Sequence, residues 1–134
     1  MPHLRVSEAA RLLGVSDDSV RRWADAGRVE LTHDDAGRLV IDGVELARLA
    51  REMVPAESPL PLPRESARNH FPGVVTNVQR DGVMAQVEIQ AGPHRVISLM
   101  SREAADELGL NVGVVAIASV KATNVVVDVP GGPA

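Results

Sequence analysis

Ser66-Ala67-Arg68-Asn69, with Phe71-Pro72-Gly73-Val74-Val75 close behind, is the stretch that divides the chain. Just before it, residues 55–65 carry Pro55, Pro59, Pro61 and Pro63. Proline fixes φ and removes a backbone donor, so helix and sheet are both disfavoured and a semi-extended linker is expected there. After it, the chain alternates with period two. Val74-Val75-Thr76-Asn77-Val78 reads as one strand and Arg80-Asp81-Gly82 as a hairpin turn. Val83, Ala85, Val87 and Ile89 then share one face, and Met84, Gln86, Glu88 and Gln90 the other. Ala91-Gly92-Pro93 turns again, and His94 to Met100 forms a third strand. Ser101 caps a short helix over Arg102 to Leu108, stopped by Gly109, and Val114–Val120 and Val125–Val129 supply two more strands. Five short strands with one helical turn predict a compact β-barrel over residues 66–129, followed by a frayed tail, 130–134.

Upstream, residues 1–54 read as a small helical domain. Ala9, Leu12 and Leu13 keep helical spacing, Ser7 is a candidate N-cap, and Gly14 can end the helix in the left-handed conformation. Ser16 offers a second N-cap, and Asp17 and Asp18 suit the positive end of a helix running from Asp17 to Ala26 and stopping at Gly27. Two short helices around a tight turn make a helix-turn-helix. Its second helix would present Ser19, Arg21 and Arg22 to a major groove, where arginine pairs with guanine or phosphate. Arg28-Val29-Glu30-Leu31 and Arg38-Leu39-Val40-Ile41 flank a Gly-containing tip, Thr32 to Gly37, and predict a two-stranded wing. Asp42-Gly43-Val44-Glu45 is a capping box opening a third helix, Gly43 to Met53, with Leu46 and Leu49 inward and Arg48 and Arg51 on a solvated face. Trp23 is assigned to the core and His33 to a solvated turn.

Composition narrows the chemistry. Two small domains share 134 residues and bury proportionally little surface, so oligomerisation is an expected source of stability. The aromatic residues are Trp23 and Phe71, which leaves the core to Val, Leu, Ile and Ala. With no Cys, disulfides, thiolate metal sites and cysteine catalysis are excluded. His3, His33, His70 and His94 lack zinc-like spacing, and neither a Ser-His-Asp order nor a carboxylate pair stands out; no enzyme and no directly coordinated metal are expected. There is neither a charged-then-apolar leader nor a bilayer-length apolar run, so a cytoplasmic protein without membrane contact is expected. A net charge of -4 argues against a generic polyanion binder, so DNA would need a local basic face.

Two resemblances sharpen this reading. Val15-Ser16-Asp17-Asp18-Ser19-Val20-Arg21-Arg22-Trp23-Ala24-Asp25-Ala26-Gly27-Arg28 resembles the reading head of the MerR and excisionase-type winged helix-turn-helix. It implies a DNA-binding set of Ser16, Ser19, Arg21 and Arg22, with Arg28 and Arg38 placed to reach phosphates. The long coiled coil of dimeric MerR proteins is missing after the third helix, so dimerisation must come from elsewhere. The opening stretch at Ser66, together with Val120-Lys121-Ala122-Thr123-Asn124-Val125, resembles the molybdenum-pterin-binding (Mop) domain, the oxyanion-binding branch of the TOBE domains, over residues 66–129. That resemblance implies an OB-like barrel and molybdate or tungstate as ligand. It implies Ser66, Arg68, Ser101, Lys121 and the backbone amide of Ala122 as contacts; Ser98 is a further hydroxyl nearby in sequence. It also implies sites between subunits, hence a homo-oligomer through the barrel, dimer or hexamer. Ala104 departs from the pattern, standing where many relatives place a second hydroxyl.

The donor types fit the ligand class. A tetrahedral dianion needs several converging donors, and hydrogen bonds involving charged groups contribute roughly 1.5–3 kcal/mol each. A handful supports micromolar binding after ordering costs, with no protein ligand to the metal itself. The expectation is therefore an α+β chain, a winged helix-turn-helix plus a five-stranded OB-like barrel, acting as a molybdate- or tungstate-responsive transcriptional regulator. The alternatives are an intracellular molybdate storage or buffering protein, and an excisionase-like DNA binder whose barrel only oligomerises.

Overall fold

His3–Arg5 forms a short strand, β1, that runs straight into helix α1, Val6–Leu13. The computed structural model describes residues 3–54 and 57–131 and separates into two units, Met1–Ala56 and Glu57–Ala134. Arg5, not Ser7, occupies the N-cap of α1, and its N–H donates to Glu8 Oε1 at 3.3 Å. The reason is that Arg5 is still paired with Val40 as a strand residue, so the helix starts at once and Ser7 falls inside its first turn. Leu13 packs on the core, whereas Leu12 is exposed. Ser16 caps α2, Asp17–Asp25, accepting from the Ser19 N–H at 3.1 Å. The helix ends with the Arg28 N–H reaching back to the Trp23 carbonyl at 2.8 Å, a closure that uses Gly27 at φ 79.

β2 (Leu31–His33) and β3 (Leu39–Asp42) make an antiparallel hairpin, and β1 adds to the other side of β3. The sheet is thus three-stranded, β1-β3-β2, where the sequence suggested two strands, and His33 is an exposed residue of β2 and not of the turn. Asp42 caps α3, Gly43–Glu52. Ala9, Val29, Ile41, Leu46 and Leu49 form one buried cluster and Val6, Ala10 and Val20 a second. Trp23 packs against both, as its assignment to the core required.

The second unit is built on β4 (Asn69–Arg80), β5 (Met84–Ala91), β6 (His94–Ser101) and β7 (Val115–Val120), ordered β6-β5-β4-β7 with every pair antiparallel. β4 is longer than the predicted Val74–Val78 because it serves two partners. Its first half, Asn69 to Val74, pairs with β7; its second, Val74 to Arg80, pairs with β5, with an irregularity between Val75 and Asn77. A strand that changes partner at such an irregularity bends, and the sheet curls. Gly73 sits at the changeover, where a Cβ would lie 2.2 Å from the Gln90 carbonyl oxygen. Val75, Val87, Ile89 and Leu110 are buried inside the curl. Val83 is not: it is 72% exposed, because Asp81 Oδ1 accepts from the Val83 and Met84 N–H groups, each at 2.7 Å, and holds Val83 in the turn. Ser101 caps α4, Arg102–Glu107, as the sequence indicated.

The expected fifth strand does not form within the chain. After β7 comes a single 3-10 turn, Ala122–Asn124, and Val125–Val129 pairs with no strand among the described residues. Val126, Val127 and Val129 are 82%, 83% and 85% exposed. The sheet is therefore four-stranded, curled and antiparallel, consistent with an OB-like fold. Of the linker, Pro55 and Ala56 lie outside the described residues, and residues 57–65 hold neither helix nor strand. Of the expected frayed tail, residues 132–134 likewise lie outside them.

Candidate functional site

Two constellations separate, one in each unit. On α2, Arg21 and Arg22 are exposed and make no ion pair among the described residues. The two serines assigned to DNA serve the helix first. Ser16 Oγ lies 3.0 Å from Ser19 Oγ, and Arg22 Nη2 donates to Ser19 Oγ at 3.2 Å. The cap therefore also steers Arg22.

The other two arginines of the set are engaged elsewhere. Arg28 lies over the Trp23 ring, 5.3 Å from its centroid, with Glu52 Oε2 at 3.9 Å. Arg38 Nε donates to Asp34 Oδ2 at 3.1 Å, and Asp34 Oδ1 accepts from the Ala36 and Arg38 N–H groups at 3.0 and 2.8 Å. The Arg38 N–H above all, with its guanidinium, holds the Asp34 carboxyl below its ordinary value. Both side chains stay about half exposed, so each faces solvent while carrying a structural bond. Arg48, read as merely solvated, organises this side of the unit. It donates to the Arg28 carbonyl at 2.6 Å, to Glu45 Oε1 at 2.7 Å and to Glu52 Oε1 at 2.8 Å. Its hydrogen bond lowers the Glu45 carboxyl, and Glu45 in turn raises the Arg48 guanidinium. The signal for it was local: Glu45 and Glu52 stand three residues before and four after Arg48, on one helix face.

In the second unit, the register of β4 on β7 pairs Asn69 with Val120, and Asn69 Nδ2 donates to the Val120 carbonyl at 3.1 Å. One residue outward on each strand stand Arg68 and Lys121. The opening and closing motifs, 51 residues apart in sequence at Asn69 and Val120, thus end side by side. Ala67 is buried and anchors the corner, while Ser66, Arg68, Lys121 and Ala122 are exposed. Lys121 is the only lysine of the chain, and neither it nor Arg68 has a carboxylate partner among the described residues. Beside them, an open depression of about 670 Å³ is lined by Arg64, Glu65, Ala67, Arg68 and His70. His70 Nδ1 sits 3.0 Å from Ser119 Oγ and 3.6 Å from Glu65 Oε1. Sequence reasoning missed His70 and Ser119 beside this end of the sheet; His70 faces Ser119 only through the strand register.

The remaining oxyanion candidates lie apart. Ser101 pairs with Met84, beside the turn that follows Arg80, at the far end of β4 from Arg68. Its hydroxyl accepts from the Ala104 N–H at 3.1 Å. Ser98 is half-buried on β6 and lines a cleft of about 440 Å³ between β6 and β7. Within one chain, the β4–β7 register brings Asn69 and Val120 together, and Ser101 lies at the other end of the ladder.

Comparison with known proteins agrees with this division. The helix-turn-helix domain family matches residues 4–53 and the TOBE domain family residues 65–127. MopII from Clostridium pasteurianum is 33% identical over 48% of this chain and 98% of its own, with a TM-score of 0.46. A molybdate-binding protein from Sporomusa ovata is 25% identical over 48% of this chain and 96% of its own, with a TM-score of 0.46. ModG, a cytoplasmic molybdate-binding protein with molybdate bound, is 38% identical over 50% of this chain and 48% of its own, with a TM-score of 0.48. A search of curated proteins finds no match. Among the described residues, no helix is long and apolar enough to cross a membrane. The chain therefore joins a member of the helix-turn-helix domain family, at its N-terminus, to a member of the TOBE domain family in its C-terminal half.

Proposed function

We propose that this protein is a cytoplasmic, molybdate- or tungstate-responsive transcriptional regulator that works as a homo-oligomer through its TOBE domain. The observation that supports the proposal is the Asn69–Val120 pairing of β4 with β7, which brings together the two motifs that carry Arg68 and Lys121, in a chain that also has exposed Arg21 and Arg22 on a helix-turn-helix. Exposed cations without carboxylate partners favour a dianion by Coulomb attraction, and their hydrogen bonds to it are the strong kind. Molybdate is the ligand named for two of the similar proteins, and the proposal carries it to this chain. Ser101 lies too far along the ladder to serve the same chain's Arg68. A site using both takes them from two copies, which supports an intersubunit location.

DNA contact follows from local charge. Residues 1–54 hold eight arginines and ten acidic residues, so bulk attraction is weak and affinity comes from joining copies at paired half-sites. Arg21 and Arg22 read bases, while Arg28 and Arg38, on the three-stranded sheet side acting as a wing, contact phosphate with whatever guanidinium surface their structural bonds leave free. Both domains are binding domains, so no catalysis is assigned.

The test is a gel shift of the full chain on the DNA upstream of its own gene, with and without molybdate, beside a thermal melt with the same anion. A regulator binds that DNA and changes its affinity with molybdate, and its melt rises by mass action. Lys121→Ala should remove most of the melt shift and leave the fold intact. A melt shift without DNA binding leaves a storage protein; DNA binding indifferent to molybdate leaves an excisionase-like binder; no melt shift at millimolar molybdate or tungstate overturns the oxyanion site.

A further inference from the structure

Arg28 stands where the chain leaves α2, just past Gly27 at φ 79, on its way to β2. Its backbone is bonded on both sides. Its N–H donates to the Trp23 carbonyl at 2.8 Å, and its carbonyl accepts from Arg48 Nη2 at 2.6 Å. Its guanidinium lies 5.3 Å over the Trp23 ring, with Glu52 Oε2 at 3.9 Å, and stays about half exposed. An arginine with a fixed backbone and a stacked guanidinium has little freedom left to lose on meeting a phosphate.

The restraint on the Arg28 carbonyl comes from α3. Arg48 Nη2 also donates to Glu45 Oε1 at 2.7 Å, and Arg48 Nη1 donates to Glu52 Oε1 at 2.8 Å. The two carboxylates stand one turn before and one turn after Arg48, so they fix its guanidinium from both ends. Glu45 also takes part in the restraint: the Arg48 bond first, and the Glu30 N–H last, lower its carboxyl. One ion pair of α3 therefore meets the Arg28 carbonyl and the Glu30 N–H, on either side of the buried Val29. Both hydrogens of Arg48 Nη2 and one of Nη1 are spent inside the unit. We infer that Arg48, paired with Glu45, is a positioning residue for DNA binding: it holds the Arg28 backbone so that the guanidinium stacked on Trp23 is presented to a phosphate. The inference rests on the DNA reading proposed above and adds to it a residue that need not touch DNA.

Titration of the full chain against two duplexes, the DNA upstream of its own gene and a scrambled sequence, tests it at two salt concentrations. Arg48→Met should weaken binding to both duplexes about tenfold and lower the salt slope by about one, as the loss of one phosphate contact does. In the Arg28→Ala background the same change should cost nothing further. A residue that held only the fold, or touched phosphate itself, would cost as much there as in the parent. Glu45→Gln removes a negative charge, so Coulomb attraction alone tightens binding, whereas the inference expects weaker binding that again depends on Arg28. The emission of Trp23 gives a readout without DNA: Arg48→Met should move it toward the Arg28→Ala value. Equal losses in the two backgrounds, binding no weaker with Glu45→Gln, or Trp23 emission unchanged by Arg48→Met would each overturn the inference. A parent chain that binds neither duplex overturns the DNA reading instead, and the emission still reports whether Arg48 places Arg28.

Discussion

Gly73→Ala should cost the TOBE domain far more than an alanine at any other glycine with ordinary φ. The added Cβ would meet the Gln90 carbonyl oxygen at 2.2 Å and Ile89 Cγ2 at 2.8 Å. The obstacle is backbone, and it is held on both sides: Gln90 pairs with Val74 on β4 and with Arg95 on β6. Withdrawing that carbonyl distorts two ladders, so relief by a rotamer change is closed. Overpacking costs about 1–3 kcal/mol, and a contact with fixed backbone sets the expectation at the upper end, about 3 kcal/mol. For a domain of this size each kcal/mol moves the midpoint by about 4–8 °C, so a fall of about 12–24 °C is expected. Gly82→Ala is the control, since nothing lies within 4 Å of its Cβ position and its φ is ordinary; it should be neutral or stabilise by about 0.4–1 kcal/mol. The assay is a melt followed by circular dichroism and, in parallel, by the fluorescence of Trp23, the only tryptophan, which reports the first unit alone. If Gly73→Ala melts within about 2 °C of the parent by circular dichroism, β4 does not change partners at this point and the account of the curl is wrong.

Other outcomes follow from the same geometry. Ser16→Ala should lower the Trp23 fluorescence midpoint by about 1 kcal/mol equivalent, the worth of a lost N-cap. Arg28→Ala should also destabilise that unit, by about 0.5–1 kcal/mol from the contact with Trp23, whereas Arg21→Ala should leave the melt unchanged and cost about 1–3 kcal/mol in specific DNA binding, read by titration against specific and scrambled duplexes. The N–H groups of Met84 and Val83 hold the Asp81 carboxyl below its ordinary 3.8. Its contribution is therefore complete above pH 3.8 and fades as pH falls through the lowered folded value, because the unfolded chain takes up the proton first. The barrel midpoint should drop on acidification across that window, and Asp81→Asn should flatten the dependence.

Local chemistry made much of this molecule legible. Ser16 as a cap, Gly27 as a stop, Asp42 opening α3 and Ser101 opening α4 are each decided within four residues of chain, where hydrogen-bond demand and backbone freedom leave few choices. The alternation from Ala85 to Ile89 likewise named its own buried face. Tertiary structure decided what depends on partners distant in sequence. β1 exists because β3 has an edge for it, and it moved the α1 cap from Ser7 to Arg5. β4 runs to twelve residues because two strands claim it. Arg28 and Arg38, alike to Arg21 and Arg22 as residues, are tied by Trp23, Glu52 and Asp34, which no composition or spacing reveals. Arg68 and Lys121 stand in motifs far apart in sequence, and only the Asn69–Val120 register brings those motifs together and leaves Ser101 at the other end of the ladder. Val125–Val129 has the periodicity of a strand, yet periodicity fixes only which side chains share a face. A strand also needs an edge to pair with, and this segment pairs with none among the described residues.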